Sequence, residues 1–156
     1  MSLCAKDLMT PQVIVTQEDA SVSDFITLLK EHGISGAPVV DPQAHLVGVV
    51  SVTDVLLHSR LFEGEFAMDS DYHARVGEEL EVLHDGFDPD EVRRITVGDI
   101  MSPESITATA DTPVRELASV FCTGSVRRIL IVEGKRLLGI VSITDILRAV
   151  EDGRLK

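Results

Sequence analysis

Two short polar clusters in this chain have the residue types that grip a sugar and a phosphate, and they are spelled almost identically. Ser51, Thr53 and Asp54 stand in Gly48-Val-Val-Ser-Val-Thr-Asp-Val-Leu56, and Ser142, Thr144 and Asp145 stand in Gly139-Ile-Val-Ser-Ile-Thr-Asp-Ile-Leu147. Six of the nine positions are identical and the other three exchange Val for Ile. A shared apolar surface explains the exchanges but does not require the same Ser, Thr and Asp. Each cluster falls where a buried strand hands over to a helix, and the helices are expected to start at Asp54 and Asp145. A helix N-terminus presents unpaired N–H groups and the positive end of a dipole, which suits a phosphate. Hydroxyls add hydrogen bonds there, and a carboxylate can accept two from vicinal ribose hydroxyls, as an acidic residue does in dinucleotide sites. The plainer chemistry is capping, since Thr or Asp at such a junction is an ordinary N-cap. A cap needs one short polar residue, whereas both copies keep three.

A second stretch, Ile34-Ser35-Gly36-Ala37-Pro38, offers small residues that let backbone amides approach a flat ligand. It reads equally as a tight turn into a strand. The corresponding place later in the chain holds Val126, Arg127 and Arg128. Arginine there can take phosphate in a bidentate grip, or lie as solvated surface charge.

The elements that must position these groups are themselves repeated. Lys6-Asp-Leu-Met-Thr-Pro11 matches Gly98-Asp-Ile-Met-Ser-Pro103 at an offset of 92 residues, and the longer motif recurs at 91, so one loop residue separates the copies. Val22, Phe25, Ile26 and Leu29 keep helical spacing, as do Val114, Leu117, Ala118 and Phe121. Ser21 with Asp24 resembles a capping box, Thr112-Pro113 an N-cap and first-turn proline, and Gly33 and Gly124 fall near the helix ends. Each copy then reads strand, helix, strand, turn, strand, helix. First strands are expected near Val13–Val15 and Ile106–Ala108, and second strands at Pro38–Val40 and Ile129–Val132. Third strands at Leu46–Val50 and Leu137–Val141 are expected to be buried on both faces. An acidic insertion without a counterpart separates the copies. Val76, Leu80, Leu83 and Phe87 keep helical spacing within it, and Asp88-Pro89 with Glu91 opens another helix. The expected division is 1–58 for the first repeat, 59–94 for the partly helical insertion and 95–156 for the second repeat. A copy of about sixty residues is marginal alone, so the two are expected to share a core.

Composition narrows the chemistry further. The formal charge of −12 over 156 residues argues against a nucleic-acid partner, because phosphate backbones need a basic face. Aromatics make up 4%, with no Trp, so base-stacking platforms are scarce. Cys4 and Cys122 lie apart without a partner motif and fit reduced thiols. Lys6 and Asp7 interrupt any leader-like apolar run, and no stretch approaches the ~18 apolar residues of a membrane span. The expectation is a soluble, cytoplasmic chain. The five histidines, His32, His45, His58, His73 and His84, show no metal-ligand spacing, and Asp85-Gly-Phe-Asp-Pro-Asp90 lacks the order of a calcium loop. No metal site is expected. Nor does any nucleophile elbow, phosphate loop or dinucleotide fingerprint follow a strand, so the chain is not read as an enzyme.

In order and doubled, Asp7-Leu-Met-Thr-Pro11, Gly33-Ile-Ser-Gly-Ala-Pro-Val-Val40 and Gly48–Leu56 resemble a tandem pair of CBS domains, over roughly residues 3–58 and 95–151. The resemblance implies an α/β fold in which two repeats, each a small sheet with flanking helices, pack about a pseudo-twofold axis. It also implies clefts that hold AMP, ADP, ATP or S-adenosylmethionine as a regulatory ligand, with Mg²⁺ accompanying ATP. Carried onto this chain, one cleft takes Asp145 for ribose and Ser142 and Thr144 for phosphate. Thr10, Val15, Ile34, Ser35 and Gly36 surround the base, with Ala37 and Pro38 beyond them. The mirror cleft takes Ser51, Thr53 and Asp54 with Ser102, Thr107 and Val126, and Arg127 and Arg128 lie near phosphates. The Asp145 cleft is the favoured one. The family further implies a homodimer joined through helices, and a separate, unidentified protein that receives the signal. A purely structural interaction or dimerisation module, with the doubled motifs serving only as caps, is the competing expectation.

Overall fold

The computed structural model describes residues 2–58, 89–124 and 126–156. The chain runs α1 (Ala5–Leu8), β1 (Thr16–Gln17), α2 (Val22–His32), β2 (Gly36–Val40), β3 (Leu46–Ser51) and α3 (Val52–Leu57). It continues through α4 (Pro89–Arg94), α5 (Val97–Ile100), β4 (Thr107–Ala108), α6 (Val114–Thr123), β5 (Arg128–Glu133), β6 (Arg136–Ser142) and α7 (Ile143–Glu151). There are two three-stranded sheets, ordered β1-β2-β3 and β4-β5-β6. In both the short leading strand is parallel to the middle one: Thr16 pairs Val39, and Thr107 pairs Leu130. The α/β architecture of two small sheets with flanking helices is the one expected.

Packing divides the chain into two compact units that cut across the sequence repeats. Unit 1 comprises Met1–Val13, Ala44–Leu46 and Ser105–Lys156, and unit 2 comprises Ile14–Gln43 and Val47–Glu104. The leading helix of each repeat is thus built into the unit that carries the other repeat's sheet. In unit 1, Val114 N–H donates to Leu3 O (3.0 Å), Ala5 N–H to Thr112 O (2.9 Å) and Lys6 N–H to Ala110 O (2.9 Å). In unit 2, the same bonds join Val22 to Ile95 (2.9 Å), Val97 to Ala20 (2.8 Å) and Gly98 to Glu18 (2.8 Å). Both leading helices are single turns closed by a capping box: Asp7 Oδ2 accepts from Cys4 N–H at 2.8 Å, and Asp99 Oδ2 from Thr96 N–H at 2.9 Å.

Each unit has its own apolar core, made of branched aliphatics as the scarcity of aromatics requires. In unit 2, Val22, Phe25, Ile26 and Leu29 of α2 pack with Val39, Val50 and Val55, and with Val92, Val97 and Ile100 of α4 and α5. In unit 1, Ala5, Leu117, Ile129, Ile131 and Val141 form the buried centre, with Met9, Phe121 and Ile146 against it. The insertion's spaced Val76, Leu80, Leu83 and Phe87 lie outside the described residues; α4 begins at Pro89, as the Asp88-Pro89 signal predicts.

Several local expectations are corrected. The first strand lies at Thr16–Gln17 rather than Val13–Val15. Continuing the β1–β2 register backward would oppose Val15 to Pro38, which has no N–H to give to a ladder. The last helices start at Val52 and Ile143, with Ser51 and Ser142 as N-caps and the aspartates one turn in. Pro113, not Thr112, caps α6, because Thr112 Oγ1 is drawn back to accept from Thr109 N–H at 3.0 Å. The third strands are not buried on both faces: in β3, Gly48 and Val50 are buried while Val47, Val49 and Ser51 are half-buried.

Two glycines admit the leading arms. Thr10 forms a two-bond antiparallel bridge with Ile140 (2.9 and 3.1 Å), and Ser102 forms its counterpart with Val49 (2.8 and 2.9 Å). A Cβ on Gly48 would stand 2.5 Å from Ser102 O, and one on Gly139 would stand 2.7 Å from Met9 Sδ and 2.9 Å from Thr10 O. Such overpacking costs about 1–3 kcal/mol. Gly48→Ala and Gly139→Ala are therefore each expected to lower the urea midpoint by about that much, checked by equilibrium unfolding. Gly48→Ala is expected to be the more severe, since its closest obstacle is backbone rather than a flexible thioether.

Candidate functional site

The two Ser-x-Thr-Asp elements adopt one geometry. At the head of α7, Asp145 Oδ2 accepts from Ser142 N–H at 2.7 Å and from Ser142 Oγ at 3.0 Å, while Ser142 Oγ accepts from Asp145 N–H at 3.4 Å. At the head of α3, Asp54 Oδ2 accepts from Ser51 N–H at 2.8 Å and from Ser51 Oγ at 3.2 Å. The capping role is real, and it is performed by Ser and Asp together. It accounts for only one oxygen of each carboxylate. Among the described residues, Oδ1 of Asp54 and of Asp145 accepts no hydrogen bond, and the Thr53 and Thr144 hydroxyls make none. Asp145 is half-buried and Thr144 is exposed. A carboxylate oriented through one oxygen, with the other open beside a hydroxyl and a helix N-terminus, can accept from a diol and accompany an anion.

The structure gathers the remaining predicted residues by unit. In unit 1, the bridge to Ile140 sets Thr10 beside the strand that ends in Ser142, and the antiparallel β5–β6 register sets Arg128 opposite Ser142. Thr107 lies on β4, across the sheet from β6, and Val126 packs against the unit 1 core. Unit 2 holds Ser102 beside β3 through its bridge to Val49. Val52 N–H donates to Ser35 O at 2.9 Å, and Gly36 abuts Val50 and Ser51, so the small-residue stretch meets the Ser51 element. Ala37 and Pro38 are buried strand residues, Ile34 packs on the unit 2 core, and Val15 is 37% exposed.

Sequence reasoning overlooked two things that a closer reading of spacing contains. Cys4-x-x-Asp7 and Thr96-x-x-Asp99 repeat the Ser-x-x-Asp capping pattern at the 92-residue offset. Arg128 is the direct neighbour of Ser142 within one unit, a relation that follows from pairing the strands rather than from motif matching. No helix among the described residues is long and apolar enough to cross a membrane.

The CBS-domain family model matches residues 5–60 and 97–152. The chain belongs to the CBS-domain family. It is a tandem pair, as the doubled motifs predict, and solved CBS pairs share its fold. The CBS-pair protein CBSX2 of Arabidopsis thaliana is 28% identical, with full coverage of both chains and a TM-score of 0.74. A second crystal structure, of CBSX2 in complex with AMP, is 25% identical with a TM-score of 0.69, covering 97% of this chain and 98% of that one. Longer proteins carry a similar region. The pair is 27% identical to A-adding tRNA nucleotidyltransferase of Aquifex aeolicus over 97% of its length, but spans 15% of that enzyme. It is 28% identical to zinc metalloprotease MJ0392 of Methanocaldococcus jannaschii, and spans 33% of it.

The carboxylate of the α5 capping box, Asp99, has a displaced titration. Asp99 is held below its ordinary 3.8, chiefly by the Thr96 N–H, then by the Thr96 hydroxyl, with a smaller push from His58. A depressed folded value contributes stability above the unfolded carboxylate pKa, and that contribution is lost as pH falls through the folded value. Carboxyl-carbon NMR is expected to place the Asp99 midpoint below 3.8. Asp99→Asn is expected to flatten the fall in urea midpoint below that pH, and an unchanged slope would contradict the assignment.

Proposed function

We propose that the CBS pair is a regulatory, non-catalytic module that holds an adenosine-containing ligand at the Ser142–Asp145 element and reports its occupancy to a partner protein. The observation that carries this reading is the divided role of Asp145. Ser142 fixes Oδ2 and so the rotamer, while Oδ1 and the Thr144 hydroxyl have no partner among the described residues. Oδ1 would accept from a ribose hydroxyl, and Thr144 with the first turn of α7 would face a phosphate. The crystal structure of CBSX2 in complex with AMP supports the adenosine class.

In this reading Thr10, Val15, Ile34, Ser35 and Gly36 attend the base, with Ala37 and Pro38 behind them. Ser51, Thr53, Asp54, Ser102, Thr107 and Val126 form the second set. AMP, ADP, ATP and S-adenosylmethionine are the candidate ligands, with Mg²⁺ accompanying ATP. Repeats 1–58 and 95–156 flank the insertion 59–94 in a cytoplasmic homodimer. Signalling follows from differential affinity: a ligand that prefers one arrangement of the module shifts its population, and the partner binds that arrangement better. A second reading, a purely structural interaction module, is favoured by an apolar stripe on α7, where Ile143, Leu147 and Val150 are 40%, 61% and 54% exposed.

Thermal shift separates the two. A ligand present at about 100 times its Kd adds about 2.7 kcal/mol, a rise of several degrees for a protein of this size. We expect that rise from adenosine compounds in a panel that also contains GTP, and its loss in Asp145→Ala. That variant is itself expected to cost about 1 kcal/mol as a weakened cap. A flat panel, with only the capping loss in Asp145→Ala, would favour the structural module.

A further inference from the structure

The segment that follows α7 turns back on the helix and then reaches across to the first arm. Gly153 takes the left-handed conformation, with φ of +72°. Gly153 N–H then donates to Val150 O at 3.0 Å and Arg154 N–H to Ala149 O at 2.8 Å, the two bonds of a Schellman turn. Leu155 N–H adds a third, to Ala149 O at 2.9 Å. Leu155 is half-buried and Arg154 is exposed. From this turn Arg154 Nη2 donates to Asp7 O at 3.1 Å. Asp7 O belongs to the last turn of α1, where carbonyls have no partner inside the helix.

The arm is therefore held near both ends of α7. Arg154 ties Asp7 beyond the C-terminal end, and Ile140 ties Thr10 two residues before Ser142, the N-cap. Only Leu8 and Met9 separate the tied residues, and Met9 packs against the unit 1 core, so the stretch has little slack. The other ties of α1, from Ala5 and Lys6 to Thr112, Ala110 and Asp111, lie on its N-terminal side. Among the described residues, Arg154 makes the one side-chain hydrogen bond to the end from which Thr10 leads. A displacement of that end is passed directly to Thr10.

We infer that Arg154 is a positioning residue for the Ser142–Asp145 element: it fixes the α1 arm, and with it Thr10, and so couples occupancy of the element to the segment that follows α7. The inference rests on the adenosine-ligand reading above and names the part of the chain through which occupancy is reported. Tied and untied arms are the two states, and coupling to the ligand runs both ways. Where the tie favours binding, a bound ligand tightens the tie by the same factor.

Calorimetric titration and hydrogen exchange on the full chain test it together, with AMP, ATP and S-adenosylmethionine as probes. Arg154→Met keeps the apolar stem and removes the donor, Arg154→Lys keeps a donor, and Lys156→Ala removes a neighbouring charge. Arg154→Met is expected to weaken the probe that wild type binds by about threefold, the worth of a modest hydrogen bond. Arg154→Lys is expected to restore part of the loss, and Lys156→Ala to leave affinity unchanged. Melting temperatures near that of wild type show that these surface variants are folded. Reciprocally, the bound probe is expected to slow exchange of the Arg154 and Leu155 amides by about the same threefold, and to leave Leu155 unprotected in Arg154→Met. Gln43, whose N–H is held locally by Asp41 Oδ1 at 2.9 Å, is expected to show no such slowing. Wild-type affinity in Arg154→Met, an equal loss in Lys156→Ala, or a loss without ligand-dependent protection overturns the inference. The adenosine reading stands in each of those cases if Asp145→Ala abolishes binding. Wild type that binds none of the three probes overturns both.

Discussion

Four backbone hydrogen bonds, two between Thr10 and Ile140 and two between Ser102 and Val49, are the constraint on which this CBS pair is built. Each pair ties the arm of one repeat to the final strand of the other, two residues before the serine that caps the last helix. The contact is backbone to backbone, so it tolerates almost any side chain on the arm. It is intolerant on the strand, where only glycine leaves room. The identity of Gly48 and Gly139 in the two copies has this physical cause, and the position of Thr10 and Ser102 near the polar elements follows from it.

Upon that near-symmetric frame the chain places unequal chemistry. Both capping elements hold an aspartate by one oxygen and leave its other oxygen without a partner among the described residues. What differs is the neighbouring strand. β2 enters with Gly36 and Ala37, small enough to lie tightly beside Ser51, and β5 opens on Arg128, preceded by Arg127. The helices differ too. α3 ends at Leu57, and Val52 and Val55 on it are buried, whereas α7 runs to Glu151 with most of its apolar face only partly covered. A duplicated domain has thus kept its scaffold twice and let its surface diverge.

Much of this was legible in the sequence because the repeat is an internal control. A pattern that occurs twice separates what the fold demands from what chance supplies. The helices α2 and α6, the succession of strands and helices along each copy and the strand-to-helix polar clusters were all readable in that way. The failures were local and had local causes. Pro38, by lacking an N–H, shortened a parallel pairing that an apolar run had suggested at Val13–Val15. Thr112 turned backward to Thr109, so the cap fell to Pro113. The exchange of leading arms was not readable at all, since a hydrogen bond between residues 130 positions apart leaves no trace in local periodicity. Arg128's place beside Ser142 follows instead from pairing β5 with β6 as a hairpin, a step that motif matching leaves out.

The exchanged arms also order events during synthesis. All of unit 2 lies before Ser105, so its elements have been made once Glu104 leaves the ribosome. The arm around Thr10, although made before unit 2, has no strand to join until Ile140 emerges, and its tie from Arg154 to Asp7 O spans 147 positions. At about 5–20 residues per second the arm waits several seconds, longer than small hairpins and helices take to form. The entropy of closing so long a loop grows only slowly with its length, so the delay falls on timing more than on final stability. An arm made ahead of unit 2 is thus among the later elements to find its place.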